Sequence, residues 1–538
     1  MLLDNIDAAQ FYAISADMRD PYWVFGGLQD NGAWGGPSNS RDFNGVLNDH
    51  WFKMHSGDGM HTANDPLDWR VLYTSSENAN VRRIDATYRQ ISTPIRPSPR
   101  TVLNLAQAVP GAAGAGNQLP REFFRFNWKA PFILSPHDPR TIYLGGNYLF
   151  KSTDRGDSWR IISPDLSTAD TAFANPWSGG LTRDASGAET HATAITISES
   201  PLVPGVIWVG TDDGNVQLTR DGGATWSNVR ASVPGVPAHR WVSRVEASHF
   251  DPATAYLSIE GHRSDDFKPY VFKTTDFGRT WTSLSATLPQ DHPVYVIKED
   301  LHNPNLLFLG TEFALFASID GGRTWGRFMS GFPTVPVHDL VIHPRDGDLI
   351  AGTHGRGIWI ADDIGPLQQL KPAVLAQDAY LFENRVATKW HGVSRGATRG
   401  HFLFMGRNPL SIQQRNPANN AGDLANSAAI DFYLKDAPAS PISLEISSSD
   451  GSQKVSAQVP AQRGINRYYW NLRFTPAGGP PAAGVGRPGG GGGGGGGRAG
   501  GGPEATAGTY RVRLTVNGRT LEGTVAVRED PDGTTRGR

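Results

Sequence analysis

The chain has 538 residues, of which 38% are hydrophobic and 10% aromatic, and its formal net charge is -2. This length and composition predict two or three domains with a large core, while the near-neutral charge gives no electrostatic basis for binding nucleic acid or an anionic membrane. The absence of cysteine excludes disulfides, zinc–thiolate sites and thiol nucleophiles. No run of 18 apolar residues occurs, so we expect no membrane span.

The first residues lack the pattern of a secretory signal peptide. Residues 1–7 read Met-Leu-Leu-Asp-Asn-Ile-Asp, which is neither a charged n-region nor an apolar h-region. We expect these residues to belong to the middle of a repeated architecture. We therefore expect a missing upstream part, and with it any export signal.

A turn followed by a short apolar strand recurs along the N-terminal two thirds of the chain. The turn is polar or contains proline, and the strand often ends in glycine. An alternating strand precedes each copy and two further short strands follow it, which predicts four antiparallel strands per unit. Seven such units predict an all-β fold, a seven-bladed β-propeller over residues 1–370. The seven copies begin within 20–26, 65–73, 138–145, 204–210, 251–257, 303–310 and 344–352.

The segment 86–127 is too long for a turn and is interpreted as an insertion between the second and third blades. A second repeat, [ST]-x-D-x-G-x-x-W, occurs at 152–159, 219–226, 274–281 and 318–325. Its Ser/Thr and Asp oxygens can bond backbone groups within a hairpin turn, and its Trp can pack beneath that turn. We assign a structural role, not a catalytic one, to Asp154, Trp159, Asp221, Trp226, Asp276, Trp281, Asp320 and Trp325.

The pattern changes after residue 367. Residues 371–428 carry few strand signals and are interpreted as a connecting segment. Strand patterns resume in 429–538, which predicts a small immunoglobulin-like β-sandwich. Inside it, 477–502 includes nine consecutive glycines at 489–497, and such a composition predicts a disordered insertion.

A propeller places ligands over its central channel, on the face formed by the loops that join second to third strands and one blade to the next. Histidines and carboxylates collect in these loops, which predicts a ligand or active site. Two carboxylates facing each other across a channel can hydrolyse a glycosidic bond. Asp30 and Asp58 are the candidate catalytic pair, although Asp30 could instead hold the 27–32 turn.

The other residues of this face are candidates for ligand binding. Arg356 could bind a carboxylate or hydroxyls, or could form a salt bridge that closes the ring of blades. A divalent metal is conceivable in such a set, but no short ligand spacing supports one, so we expect no metal and no other cofactor. The candidate ligand-binding residues are Asn31, His61, Glu77, Asp212, His239, Arg240, Trp241, Glu260, His262, Glu312, His354 and Arg356.

The four [ST]-x-D-x-G-x-x-W boxes are those of the BNR/Asp-box superfamily, which includes sialidases, two-propeller xyloglucan hydrolases and sortilin-type domains. The stretches 26–37, 247–281, 303–325 and 337–364 resemble bacterial exported BNR-repeat or sortilin-like "glycosyl hydrolase" proteins, and the resemblance covers nearly all of 5–530. It implies a secreted or periplasmic protein, here the second propeller plus C-terminal sandwich, whose partner would be a missing N-terminal propeller. The F/Y-R-I-P stretch of sialidases is absent.

Three functions remain open at this point. The first is an exported glycan-active protein, a glycoside hydrolase or one half of a two-propeller enzyme, for which the Gly-Asp turn at 56–59 is loosely similar to that of the xyloglucan hydrolases. The second is a non-catalytic, sortilin-like propeller that binds a peptide or a glycan. The third is a scaffold whose sandwich docks another domain. The expected ligand is a polysaccharide or a peptide.

Overall fold

The computed structural model describes residues 8–40, 46, 50–87, 91–109, 124–170, 190–390, 427–475 and 502–531. These residues form an almost entirely β structure with two compact units. The N-terminal unit comprises 6–36 and 51–362, and the C-terminal unit comprises 1–5, 37–50 and 363–538. The glycine run at 489–497 and residues 391–426 of the predicted connecting segment lie outside the described residues.

Within its described residues, the N-terminal unit contains seven sheets whose strands follow one another along the chain. The first sheet contains β1 (Phe11–Ala16), β2 (Trp23–Leu28), β3 (Gly32–Pro37) and β4 (Phe52–His55). The second contains β5 (Thr62–Asn64), β6 (Val71–Ser76), β7 (Asn80–Asp85) and β8 (Ile91–Pro94). After α1 (Leu105–Ala108), the third contains β9 (Phe132–Leu134), β10 (Ile142–Gly145), β11 (Leu149–Ser152) and β12 (Arg160–Ile161).

The remaining four sheets repeat the same order. The fourth contains β13 (Ala194–Glu199), β14 (Ile207–Thr211), β15 (Val216–Thr219) and β16 (Ser227–Asn228). The fifth contains β17 (Trp241–Ala247), β18 (Ala255–Gly261), β19 (Asp266–Thr274) and β20 (Thr282–Ser283). The sixth contains β21 (Val294–Glu299), β22 (Leu307–Thr311), β23 (Leu315–Ser318) and β24 (Gly326–Arg327), and the three-stranded seventh contains β25 (Val337–Ile342), β26 (Leu349–Thr353) and β27 (Ile358–Ala361).

The second strand of each sheet coincides with one of the seven apolar strands predicted from the sequence. In β14, β22 and β26 every residue is buried, which explains why these strands are continuous apolar runs and not alternating ones. Both faces of such a strand are covered by neighbouring sheets. The packing cores accordingly draw residues from consecutive sheets, as where Trp208 of β14 and Leu257 of β18 share one cluster.

The sheets contact one another in sequence, and the last sheet contacts the first. Strands β13, β17, β21 and β25 pack successively against each other, and β1 packs against both β5 and β25. The Ile14 N–H donates to Asp339 Oδ2 at 2.9 Å, and Gln10 forms a β-bridge with His354. Residues far apart in sequence therefore join the seventh sheet to the first.

Each [ST]-x-D-x-G-x-x-W box forms the turn from a third strand to a fourth strand. In the sixth sheet, Ser318 Oγ accepts from Gly322 N–H at 2.9 Å and donates to Asp320 Oδ1 at 2.8 Å. The Asp320 carboxylate also accepts from the Thr324 N–H at 2.9 Å and the Thr324 hydroxyl at 2.7 Å. The same bonds recur around Asp154, Asp221 and Asp276.

We expect Asp320→Ala to lower the free energy of unfolding of the N-terminal unit by about 1–2 kcal/mol, because three hydrogen bonds of the turn lose their carboxylate partner. Asp320→Asn retains one carbonyl acceptor and should lose less. Urea unfolding followed by tryptophan fluorescence measures both values. Equal losses for the two variants would contradict the role assigned to the carboxylate.

The box tryptophans are anchored by their indole N–H, with one exception. Trp159, Trp226 and Trp325 donate to the carbonyls of Ile95, Ile162 and Leu284 at 2.8–2.9 Å. Among the described residues the buried Trp281 N–H has no acceptor, and this ring instead packs edge-on against Trp208 with centroids 6.0 Å apart.

The C-terminal unit begins with α2 (Gly365–Gln369) and α3 (Pro372–Leu375). Its described strands form two sheets that contribute to one apolar core, with Ile430 and Phe432 from the first sheet and Leu444 and Val512 from the second. The first sheet has the order β28 (Ala379–Leu381), β30 (Ala428–Leu434), β33 (Gly464–Trp470). The second has the order β29 (Ala387–Lys389), β35 (Arg519–Glu529), β34 (Gly508–Val516), β31 (Ile442–Ser447), β32 (Lys454–Val459).

None of the described helices is long and apolar enough to cross a membrane.

Candidate functional site

A cavity of about 660 Å³ opens among the starts of the first strands in the N-terminal unit. The first, fourth, fifth, sixth and seventh sheets contribute strand residues or residues next to a strand to its lining. The loop that precedes β9 of the third sheet contributes residues 127–129, and the loop between the first and second sheets contributes Asp58. The cavity brings together six of the residues predicted from the sequence, namely Asp58, Trp241, Glu260, His262, Glu312 and His354.

The remaining predicted residues do not line this cavity. His61 lies behind the lining, with its ring 6.2 Å from that of Phe132, and Glu77 accepts the Asp58 N–H at 2.8 Å. Asp212 is fully buried, where burial and the charge of Asp213 raise its pKa to about 8. The full set outside the lining is Asp30, Asn31, His61, Glu77, Asp212, His239, Arg240 and Arg356.

The sequence predicts that Asp30 and Asp58 face each other across a channel. In the structure they instead lie side by side. The buried Asp58 carboxylate accepts a hydrogen bond from the Asp30 N–H. The physical reason is the contact between the two glycine turns, since a Cβ on Gly27 would collide with the backbone of Gly59. Asp30 itself is exposed, with a left-handed backbone angle φ of 60°.

The environment of Asp58 favours its protonated form. Burial raises the pKa of the Asp58 carboxyl, and the negative charges of Asp30 and Glu77 raise it further, against the opposing hydrogen bond from the Asp30 N–H. Asp58 is therefore a carboxyl group suited to holding a proton to higher pH than an ordinary aspartate.

Glu260 belongs to a compact set of charged and aromatic groups on the fifth sheet. Its carboxylate pairs with the His262 imidazole and the Arg263 guanidinium, which stand in the short 3₁₀ helix His262–Ser264. Burial alone would raise the pKa of Glu260, but the two partners outweigh burial and lower it. The Arg263 guanidinium also lies 3.8 Å from the centroid of the Trp241 ring, so Trp241 and Glu260 hold it in place together.

The sixth and seventh sheets contribute Glu312, His338 and His354 to the cavity lining. The Tyr295 hydroxyl donates to Glu312 Oε2 at 2.6 Å. The His338 ring stacks on His354, with centroids 4.4 Å and planes 9° apart, and lies 4.5 Å from the Tyr295 ring. Burial and the neighbouring His354 hold the pKa of His338 well below its usual range, so this imidazole is uncharged at neutral pH.

Lys129 lines the cavity among groups from several sheets. Burial, with the positive charges of Arg244 and Arg263, lowers the pKa of Lys129 to about 8, while Asp339 opposes the shift. Arg244 and Asp339 form their own ion pair at 2.7 Å. The Lys129 ammonium lies 5.9 Å from the centroid of the Tyr12 ring.

Sequence reasoning missed Tyr12, Lys129 and Tyr295. Tyr12 and Tyr295 are the second residues of β1 and β21, as His338 is of β25, whereas Lys129 lies three residues before β9. The shared strand position is a sequence signal that identifies the two tyrosines but not Lys129. Lys129 was hidden because the predicted insertion ends only two residues before it.

Within the described residues, no group of three or more His, Asp or Glu side chains is arranged to hold a metal ion.

No family model matches the chain. It is 28% identical over 227 residues to a xyloglucanase from Paenibacillus sp, which covers 37% of this chain and 21% of that protein. It is 25% identical over 260 residues to a probable oligoxyloglucan-reducing end-specific xyloglucanase from Neosartorya fischeri, covering 39% of this chain and 31% of that protein. The chain thus spans less than a third of these relatives' lengths.

Two solved structures are similar at lower identity. The GH74 xyloglucanase of Xanthomonas campestris aligns with a TM-score of 0.47 and 16% identity, covering 89% of this chain and 68% of that one. The GH74 enzyme of Niastella koreensis aligns with a TM-score of 0.44 and 14% identity, covering 85% and 67%. The chain is similar to xyloglucanases over part of its sequence.

Proposed function

We propose that the seven sheets are the blades of a β-propeller and that the C-terminal unit is an immunoglobulin-like sandwich. The strands of each blade follow chain order, and the packing of β1 against β25 closes the circle. This supports the assignment of the cavity to the central opening of a disc.

We propose that the N-terminal unit is the glycan-active part of a glycoside hydrolase-like protein. The observation that carries the proposal is the composition of the cavity lining. It combines aromatic rings with carboxyl groups whose pKa values are shifted in opposite directions, upward for Asp58 and downward for Glu260. Phe313 is 43% exposed and can stack on the apolar face of a sugar ring. Carboxylates such as Glu312 can accept hydrogen bonds from sugar hydroxyls.

Hydrolysis of a glycosidic bond needs one protonated carboxyl and one ionised carboxylate placed on either side of the bond. Asp58 is our candidate for the first role, because burial and the neighbouring charges raise the pKa of its carboxyl group. Asp30 lies beside Asp58, so it cannot be the carboxylate on the opposite side of the glycosidic bond. Glu312 comes from the sixth sheet, away from the loop that carries Asp58, and we propose Glu312 as the second catalytic carboxyl group.

The curated relatives are named xyloglucanases, which supports a polysaccharide ligand. Because this chain spans only 21% of the first of them, we propose that a second propeller completes the cleft of the whole protein. Export of the protein to the periplasm or medium is part of the same proposal.

A second candidate is a propeller that binds a peptide or glycan without cleaving it. Glu260 favours this alternative, because Arg263 and His262 already neutralise this carboxylate and leave fewer free acids in the cavity. It predicts saturable binding with no product.

Calorimetric titration with xyloglucan oligosaccharides and with a peptide library, run beside an assay of reducing-sugar release, tests these proposals. We expect Phe313→Ala to weaken glycan binding by about three- to tenfold, because a stacking aromatic ring is lost. Phe250→Ala is the matched control, since Phe250 is 40% exposed and lies outside the cavity lining. Equal effects of the two substitutions would contradict a glycan site in the cavity, and peptide binding alone would favour the second candidate.

A further inference from the structure

Lys129 forms no ion pair with a carboxylate among the residues that the structure describes, although the Asp339 carboxylate lies near enough to oppose the lowering of its pKa. The two neighbouring arginines are each committed, Arg244 to Asp339 at 2.7 Å and Arg263 to Glu260. Within the part of the chain that the structure describes, no ion pair joins the Lys129 ammonium to a carboxylate. The charge of Lys129 is therefore available to a bound molecule.

The position of Lys129 in the cavity strengthens its attraction for an anion. The residue lines the cavity and is half-buried, and an ammonium group withdrawn from water gains more from an anion than an exposed one does. Groups from the first, fifth and seventh sheets surround it, namely Tyr12, Arg244, Arg263, His338 and Asp339. With a pKa of about 8, the amine is mostly protonated at neutral pH.

The His338 imidazole next to Lys129 is suited to the same ligand. His338 and His354 line the cavity, and burial lowers the pKa of both, so both are uncharged at neutral pH. A neutral imidazole has one N–H to donate, and His354 donates its own to the Phe11 carbonyl at 3.3 Å, which leaves His338 as the donor for an anionic oxygen. The charge of Lys129 acts on the His338 imidazole, so the two side chains lie near enough to offer an ammonium and a donor to one anionic group.

We propose that the glycan bound in this cavity carries an anionic group, a uronate carboxylate or a sulfate, which pairs with the ammonium of Lys129 and accepts from His338. This inference rests on the proposed function and adds the chemical class of the substrate. A neutral sugar would leave the Lys129 ammonium without an ion-pair partner among the described residues. An acidic sugar compensates it and fixes the direction in which the glycan lies.

Calorimetric titration with three oligosaccharides of one length and one linkage tests the inference. The first is a neutral β-1,4-linked glucose oligosaccharide, the second has C6 oxidised to a carboxylate, and the third has C6 sulfated. We expect an anionic oligosaccharide to bind about tenfold or more tightly than the neutral one. The comparison of the second with the third identifies which anion the site takes.

Variants locate the effect. Lys129→Met, which removes the charge at nearly constant length, should abolish the preference and leave the neutral oligosaccharide's affinity within about twofold, whereas Lys129→Arg should retain it. Lys151→Met is the control, because Lys151 belongs to β11 of the third sheet and lies outside the cavity lining. Thermal unfolding of each variant confirms its folded state, and the wild-type comparison does not depend on any variant.

Two different failures have different meanings. If the wild type binds all three oligosaccharides equally, or if Lys129→Met weakens all three equally, the anionic site is refuted while glycan binding stands. If none of the three binds and xyloglucan oligosaccharides also fail to bind, the proposed function is refuted and this inference falls with it.

Discussion

On the proposed function, replacement of Asp58 by asparagine is expected to reduce the rate of glycosidic bond hydrolysis by about 10²- to 10⁴-fold, the range typical for loss of a general acid. The amide keeps the size of the side chain and its acceptor for the Asp30 N–H, but it cannot deliver a proton to the leaving oxygen. Glycan affinity and thermal stability should therefore change little. The measurements are kcat from reducing-sugar release and Kd from calorimetry on the same preparations.

The pH dependence of the hydrolysis rate is an independent test of the role of the Asp58 carboxyl. A general acid works in its protonated form, and burial together with Asp30 and Glu77 raises the pKa of Asp58. The wild-type rate should accordingly fall as pH rises through this elevated pKa, and the residual rate of Asp58→Asn should lack that fall.

Asp30→Asn serves as the matched control for Asp58→Asn. Asp30 contributes its backbone N–H to Asp58, which the substitution retains, and its charge, which the substitution removes. The loss of that charge should move the descending limb of the pH profile to lower pH and cost less than about tenfold in rate at the optimum. A loss as large as that of Asp58→Asn would assign the acid role to Asp30 instead.

The second large effect concerns stability. Trp159→Ala should lower the free energy of unfolding of the N-terminal unit by about 3–5 kcal/mol, since the indole is 1% exposed and its removal leaves a large cavity. The loss includes the hydrogen bond from the indole N–H to the Ile95 carbonyl. Urea unfolding monitored by near-ultraviolet circular dichroism measures the change.

Phenylalanine substitutions separate the hydrogen bond from the packing. Trp159→Phe leaves the Ile95 carbonyl without its donor, whereas Trp281→Phe removes an N–H that has no acceptor among the described residues. We expect Trp159→Phe to cost about 1–2 kcal/mol more than Trp281→Phe. Identical losses would show that the box tryptophans stabilise the unit by packing alone.

The sheets could be predicted because each unit repeats the same local signals. Strands buried on both faces have continuous apolar sequences. The turn between third and fourth strands is identified by the Ser and Asp side chains that bond within it, such as those of Ser318 and Asp320. The order of strands in the C-terminal unit could not be read in the same way. There β31 pairs with β34, and more than 60 residues separate the two strands in the sequence. No repeated sequence pattern indicates that pairing.

The candidate site was predictable only in part, for a geometric reason. Sequence pattern assigned Asp58, Glu312 and His354 to one face, and all three line the cavity. It could not assign distances between turns, and the contact of Gly27 with Gly59 turned an expected opposed pair into a side-by-side pair. Nor could it show which charges are already compensated, because the pairing of Arg244 with Asp339 joins residues 95 positions apart.

The junction of the first and seventh sheets has a consequence for synthesis on the ribosome. Ile14 bonds Asp339 and Tyr22 bonds Asp348, over separations of 325 and 326 residues. At ordinary elongation rates the emerging first sheet waits for about 20–60 s before its partner has been translated. Throughout that delay β1 lacks the strands β25 and β26 that it packs against in the finished fold, so a chaperone that shields nascent β-structure would raise the yield of native protein.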